Sequence, residues 1–245
     1  SFAQSEAEWR SVPLERMRSS CGICIKDILE RNDVRNPVEM EELLDYLSSA
    51  IGGLTNPKKL ADTFKTVKNV SVHPDTIKTY LDYFEDSFLI SRANRYDVKG
   101  KKYISTPMKF YFTDCGLRNV RINFRQYEET HIMENIIYNE LLIREYNVDV
   151  GMVEFNYCNE DKKKTQKQLE VDFVCNQGSK RLYIQSALAL PTKEKEEQEQ
   201  LPLQNISDSF KKIIIVKDGP THYNESGILI LNLFDFLLKE NSLEY

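Results

Sequence analysis

A chain of 245 residues, 41% of them hydrophobic and 29% charged, carries enough apolar surface for two modest domains and excludes a disordered polymer or a collagen-like repeat. Its formal net charge is -5, with basic and acidic residues in balance up to about residue 114 and the acidic excess beyond it, which argues against a chain-wide electrostatic grip on phosphate backbones and leaves local basic patches open. Five scattered cysteines, no run of eighteen apolar residues and a start, SFAQSEAEWRS, without the order of a secretory signal fit a reducing, cytoplasmic setting.

Residues 1–20 lack a sustained apolar period and contain Pro13, and are read as a lead-in. A first helix is predicted over 24–34, with Ile25, Ile28 and Leu29 on one stripe, before Asn36-Pro37 interrupts it. The second, after Pro37, turns Met40, Leu43, Leu44, Leu47 and Ile51 to a core and ends at Gly52-Gly53. Asn56 is placed to accept amide hydrogen bonds at the start of a short third helix that buries Leu60, Ala61 and Phe64. His73-Pro74-Asp75 precedes a longer helix whose buried face is Ile77, Tyr80, Leu81, Phe84, Phe88 and Leu89. LISRANRYDV and KKYISTPMKFYFTD, around the Gly100 turn, read as a hairpin; helices followed by a hairpin is winged-helix order, and residues 21–114 are assigned to such a domain.

Residues 115–245 form the second predicted domain. HIMENIIYNELLIREY is a helix with Ile132, Ile136 and Leu142 near one apolar face and Glu134 pointing elsewhere. Strands are predicted at 148–157, 169–175, 181–188 and 211–217, with NEDKKKTQKQ as a solvent-exposed turn between the first two, and GILILNL adds another. Helices over 193–203 and in LFDFLLKE complete an α/β class, α+β overall, in which helices cover a mixed sheet.

The most informative word is QLEVDFVCN. Strand alternation puts Glu170 and Asp172 on one side and Val171 and Phe173 on the other, so two carboxylates address one space. Such a pair binds Mg²⁺ or Mn²⁺ and positions water for phosphodiester hydrolysis when further oxygens join it, here Gln185 from the next strand and Glu134 from the preceding helix. The plain alternatives are a solvated or salt-bridged Glu170, an Asp172 that orients local backbone, a surface Glu134 and a structural Gln185 amide. A lysine that would stabilise developing negative charge is absent two residues beyond Gln185, where Ala187 stands; Lys180 and Lys193 are the candidates to replace it in space.

Arg92, Arg95, Lys99, Lys101 and Lys102 make the hairpin the strongest nucleic-acid candidate, although Asp75, Asp82, Glu85 and Asp86 on the preceding helix would repel phosphates. Cys21-x-x-Cys24 has no second pair at zinc-ribbon spacing, and the three histidines show no metal-ligand or nucleophile pattern. No Walker phosphate loop, dinucleotide Gly-rich loop, serine nucleophile elbow or HExxH word is present, so this chain alone is not expected to hydrolyse ATP.

The segments NDVRNPVEMEELLDYLSSAIGG, TIKTYLDYFEDSFLISRANRYDVKGKKYISTPMKFYFTDCGLRN, MENIIYNELLIREYNVDVG and LEVDFVCNQGSKRLYIQSA, taken together, resemble the C-terminal region of a widespread bacterial and archaeal family of AAA-type ATPases, from about residue 20 to the end. The resemblance implies a winged-helix-like segment followed by a restriction-endonuclease-like core, with an ATPase domain upstream or as a partner. It implies Glu134 as the helix acid, Asp172 as the central metal-binding acid and Gln185 as the next oxygen ligand, with the expected lysine missing at Ala187. The family's strand usually reads YIQVA where this chain has YIQSA, a polar departure at Ser186. The expectation is therefore a non-catalytic accessory module that associates with DNA or a protein partner, with a Mg²⁺- or Mn²⁺-dependent phosphodiesterase and a protein-only interaction module as alternatives.

Overall fold

The structure is a computed structural model and describes residues 22–125, 128–158 and 164–244. The described chain forms two compact units: one holds the residues up to Arg92 together with Phe110–Glu128, the other Ala93–Lys109 together with the residues from Glu129 onward.

In the first unit, helix α1 (22–32) is followed by α2 (Pro37–Ser49), α3 (Pro57–Thr63), a single π-helical turn (Phe64–Lys68), α4 (Pro74–Asp86) and, later in the chain, α5 (Cys115–Arg121). Three of these helices open on proline, whose missing N–H removes no intrahelical bond there. Asn56 accepts from Lys59 N at 2.8 Å, as its position predicts, and Asp114 accepts from Gly116 N at 2.6 Å at the start of α5. Met40, Leu43, Leu44, Leu60, Ile77, Leu81 and Phe84 form the dry interior. The predicted face of α4 fails at one residue. The helix stops at Asp86, Phe88 takes a left-handed φ of 57°, and the amides of Phe88 and Leu89 reach back to Glu85 O and Phe84 O, both at 2.9 Å. This terminating turn buries Leu89 and leaves the Phe88 ring 80% exposed.

The second unit is built on a mixed eight-stranded sheet of order β2-β1-β3-β4-β5-β6-β8-β7. The strands are β1 (Ile90–Asp97), β2 (Lys102–Phe112), β3 (Asn147–Cys158), β4 (Lys164–Gln177), β5 (Lys180–Ala187), β6 (Lys211–Val216), β7 (His222–Tyr223) and β8 (Leu229–Asn232). Helices α6 (Glu129–Ile143), α7 (Lys193–Gln204) and α8 (Leu233–Leu238) cover it, which is the α+β class read from the sequence. The hairpin residues 93–109, grouped with the helices in the sequence reading, group with the sheet because β1 pairs in parallel with β3, Arg95 opposite Val150. The polar NEDKKKTQKQ stretch is not a turn throughout: residues 159–163 lie outside the described residues, and Lys164–Gln168 extend β4 against β3, up to Cys158 opposite Lys164.

One irregularity positions the site. Asp149 pairs with Val174 but Gly151 pairs with Val171, so Asp172 and Phe173 of β4 together face the single residue Val150 of β3. This β-bulge breaks strict alternation. Val171 and Val174 both enter the apolar cluster that contains Leu203 of α7, while Phe173 packs on Tyr138 of α6 at 6.4 Å between ring centroids. Asp172 is left, with Phe173, on the α6 side.

Candidate functional site

The site lies wholly within the second unit. Helix α6 buries Met133, Glu134, Ile137, Tyr138 and Leu141, so the apolar stripe expected at Ile132, Ile136 and Leu142 is rotated and Glu134 faces inward. Its neighbour is a residue that sequence reading missed. Lys109, in the buried end of β2, places Nζ 2.8 Å from Glu134 Oε1 and 2.7 Å from Glu170 Oε1. The lysine side chain is 4% exposed, Glu134 12% and Glu170 33%. One ammonium is shared by a helix acid and a strand acid, and neither Lys180 nor Lys193 plays that part: Lys180 pairs with Glu244 and Lys193 is exposed at the start of α7.

Asp172 and Gln185 sit where β4 and β5 part. Their antiparallel ladder runs from Gln177 opposite Lys180 to Phe173 opposite Ile184 and goes no further, although both strands continue. Side chains take over the pairing at this point. Asp172 Oδ2 accepts from Ser186 N at 2.8 Å, and Gln185 Oε1 receives the Asp172 N–H at 3.4 Å. β5 instead keeps its parallel partner β6, with Gln185 opposite Ile214 and Ser186 opposite Ile215. Ser186 thus serves through its backbone amide.

The electrostatics follow from burial and crowding. Burial, then the Glu134 charge beside it, pushes the Asp172 carboxyl up to about 8, against the opposing pull of Lys109 and the Ser186 amide. Burial alone would lower the Lys109 ammonium, but Glu134, Asp172 and Glu170 outweigh it and hold the group above the ordinary lysine range. Three predicted acids and one unpredicted lysine therefore form one charged cluster, with Gln185 beside it on the Asp172 amide.

Hard oxygen donors of this kind suit Mg²⁺ or Mn²⁺, yet the arrangement does not fit either. Lys109 takes an oxygen of Glu134 and of Glu170, Asp172 spends one on the Ser186 amide, and among the described residues no group of three or more His, Cys, Asp or Glu side chains is arranged to hold an ion.

The basic hairpin is divided by the structure. Arg92 pairs with Asp82 at 2.9 Å and with Glu85, acids expected to repel phosphates, and Arg95 donates to Gln168 at 3.1 Å. Lys99, Lys101 and Lys102 are exposed at the turn. Cys21 lies outside the described residues, and Cys24, Cys115 and Cys175 are free thiols. No described helix is long and apolar enough to cross a membrane.

Residues 14–128 match the family model described as Domain of unknown function (DUF8612). Lys109 falls inside that span, and Glu134, Glu170, Asp172 and Gln185 fall outside it. An uncharacterized protein of Haemophilus influenzae is 32% identical over 217 residues, which cover 89% of this chain and 50% of that protein. The uncharacterized protein MJ1544 of Methanocaldococcus jannaschii is 31% identical over 153 residues, 62% of this chain and 32% of its own length. The chain thus spans half or less of these curated relatives. Among solved structures, protein VC1899 from Vibrio cholerae aligns over 91% of this chain and 53% of that one, at 10% identity and a TM-score of 0.28, a likeness that carries no argument about the fold.

Proposed function

We propose that this chain is a non-catalytic accessory module, associated with nucleic acid or with a protein partner and related to the C-terminal region of AAA-type ATPases. In this reading the first helices and the hairpin are winged-helix-like, and the sheet with α6 is a degenerate restriction-endonuclease-like core in the cytoplasm. The observation that carries it is the Lys109 bridge: the acids that would hold a catalytic ion are engaged by an ammonium of the chain itself. With oxygens of Glu134 and Glu170 so engaged and Asp172 pushed toward its neutral form, the cluster works as an internal support that ties β2, α6 and β4 together.

The test is cleavage of single- and double-stranded DNA and RNA by wild type and Asp172→Asn in Mg²⁺ and in Mn²⁺. No cutting by either protein is expected. Metal-dependent cutting that Asp172→Asn abolishes would overturn the reading.

One observation favours a second reading, a metal-dependent phosphodiesterase. The lysine absent at Ala187 has a counterpart in Lys109, which reaches Glu134 and Glu170 from another strand and would stabilise negative charge on a scissile phosphate. The same cleavage assay separates the two readings.

A further inference from the structure

The cluster contains one feature that a merely vestigial site does not need: a lysine whose nitrogen is held at the common focus of two acids and within the field of a third. We propose that the Lys109 ammonium is the built-in counter-cation of this site, holding the place and the charge that a divalent ion would take among Glu134, Glu170 and Asp172. The proposal deepens the non-catalytic reading and rests on it.

Geometry comes first. Glu134 Oε1 and Glu170 Oε1 stand 2.8 and 2.7 Å from the same nitrogen. Oxygen ligands lie at roughly 2.0–2.1 Å from Mg²⁺ and 2.3–2.6 Å from Ca²⁺, so an ion at the position of Nζ needs these two carboxylates to close by a fraction of an ångström, while Asp172 would have to turn from the Ser186 amide to join them. Burial comes second. The lysine side chain is 4% exposed and rises from the buried end of β2, so the ammonium meets carboxylates rather than bulk water. Charge comes third. Three carboxyl groups face this one monovalent cation, and its removal leaves the buried pair Glu134 and Asp172 without a balancing charge.

The replacement is therefore reciprocal. While Lys109 is present the acids have no vacancy for an ion, and its removal opens one that is lined by hard oxygens.

The experiment is a Mn²⁺ titration of the full chain, followed by electron paramagnetic resonance of free Mn²⁺ and by the thermal midpoint, for wild type, Asp172→Asn, Lys109→Ala and Lys109→Ala/Asp172→Asn. Wild type is expected to show no saturable site and the same Tm in Mn²⁺ as in EDTA. Lys109→Ala is expected to gain one site about tenfold tighter than any binding by wild type, a Tm that Mn²⁺ raises, and a loss of both in the double variant. Saturable binding by wild type that Asp172→Asn abolishes overturns the proposal, as does a folded Lys109→Ala that gains no site. If Lys109→Ala does not fold in EDTA, Lys109→Ala/Glu170→Gln lowers the residual charge and is read in the same way. Cleavage by wild type that persists in EDTA would sink the non-catalytic reading alone, whereas Mn²⁺ binding by wild type without cleavage would sink the counter-cation alone.

Discussion

Asp172 carries a proton to near neutrality because burial and Glu134 both disfavour its charge. Its folded value of about 8 lies above the ordinary aspartate value of 3.8, so the folded chain binds this proton more tightly than the unfolded one. The stability so gained is complete below the unfolded value and is lost as the pH rises toward 8. Asp172→Asn is neutral at every pH and keeps an oxygen for the Ser186 amide; its urea midpoint relative to wild type is expected to rise between the two values and then level off. Lys109→Met removes the ammonium shared by two glutamates at nearly constant volume, with an expected loss of about 3–5 kcal/mol in urea unfolding at neutral pH. The acids were legible because alternation and spacing announce a pair of carboxylates on a strand. Lys109 was not, because its partners lie far away in the chain, yet MKFYF did hold the signal: a lysine inside an otherwise apolar run has to be buried with a partner.

At the level of elements, helix starts were readable from Pro37, Asn56-Pro57 and His73-Pro74, since capping chemistry is local. Helix faces and strand registers were less so. The turn that ends α4 ejects Phe88, and the rotation of α6 is set by Phe173 and Lys109, neither of which lies on that helix. The bulge in β4 also shapes its neighbour. A Cβ on Gly151 would stand 2.8 Å from Val171 Cβ and 2.8 Å from Val174 Cγ2, so Gly151→Ala is expected to destabilise by about 1–3 kcal/mol, read as a lower denaturant midpoint. Arg144 fastens the end of the chain: it donates to the carbonyls of Phe236, Lys239 and Glu240 and to Ser242 Oγ while pairing with Glu140 at 2.8 Å. Arg144→Ala leaves those carbonyls without this donor, and faster amide exchange over residues 239–244, with β5 and β6 unchanged, is the expected signature.

Across the whole molecule, the balance of charge already argued against a broad phosphate-binding surface, and side-chain pairing narrows the hairpin patch further. If the proposed wing binds nucleic acid, neutralising Lys99, Lys101 and Lys102 should weaken binding and flatten the plot of log affinity against log salt by about 0.9 for each phosphate that is no longer neutralised. Arg92→Ala should leave that slope unchanged, because its guanidinium is committed to Asp82 and Glu85. An equal effect of both changes in a salt-dependent titration would reject this division of the patch. The division of the chain was legible only in part: a contiguous cut after residue 114 follows the order of elements, but β1 and β2 each pass from one compact unit to the other, a sharing that periodicity cannot express.

The extra residue in β4 couples two positions that are distant in the chain. A relative that had lost one residue between Glu170 and Val174 would regain a regular ladder, and Val171 and Val174 would no longer crowd the same strand neighbour. Its counterpart of Gly151 would then be free to become a β-branched residue, while one side chain instead of two would face α6 between the counterparts of Val171 and Val174. A gap at the one place and a lost glycine at the other should therefore travel together through homologous sequences, and their joint appearance would mark the lineages in which the bulge has been straightened.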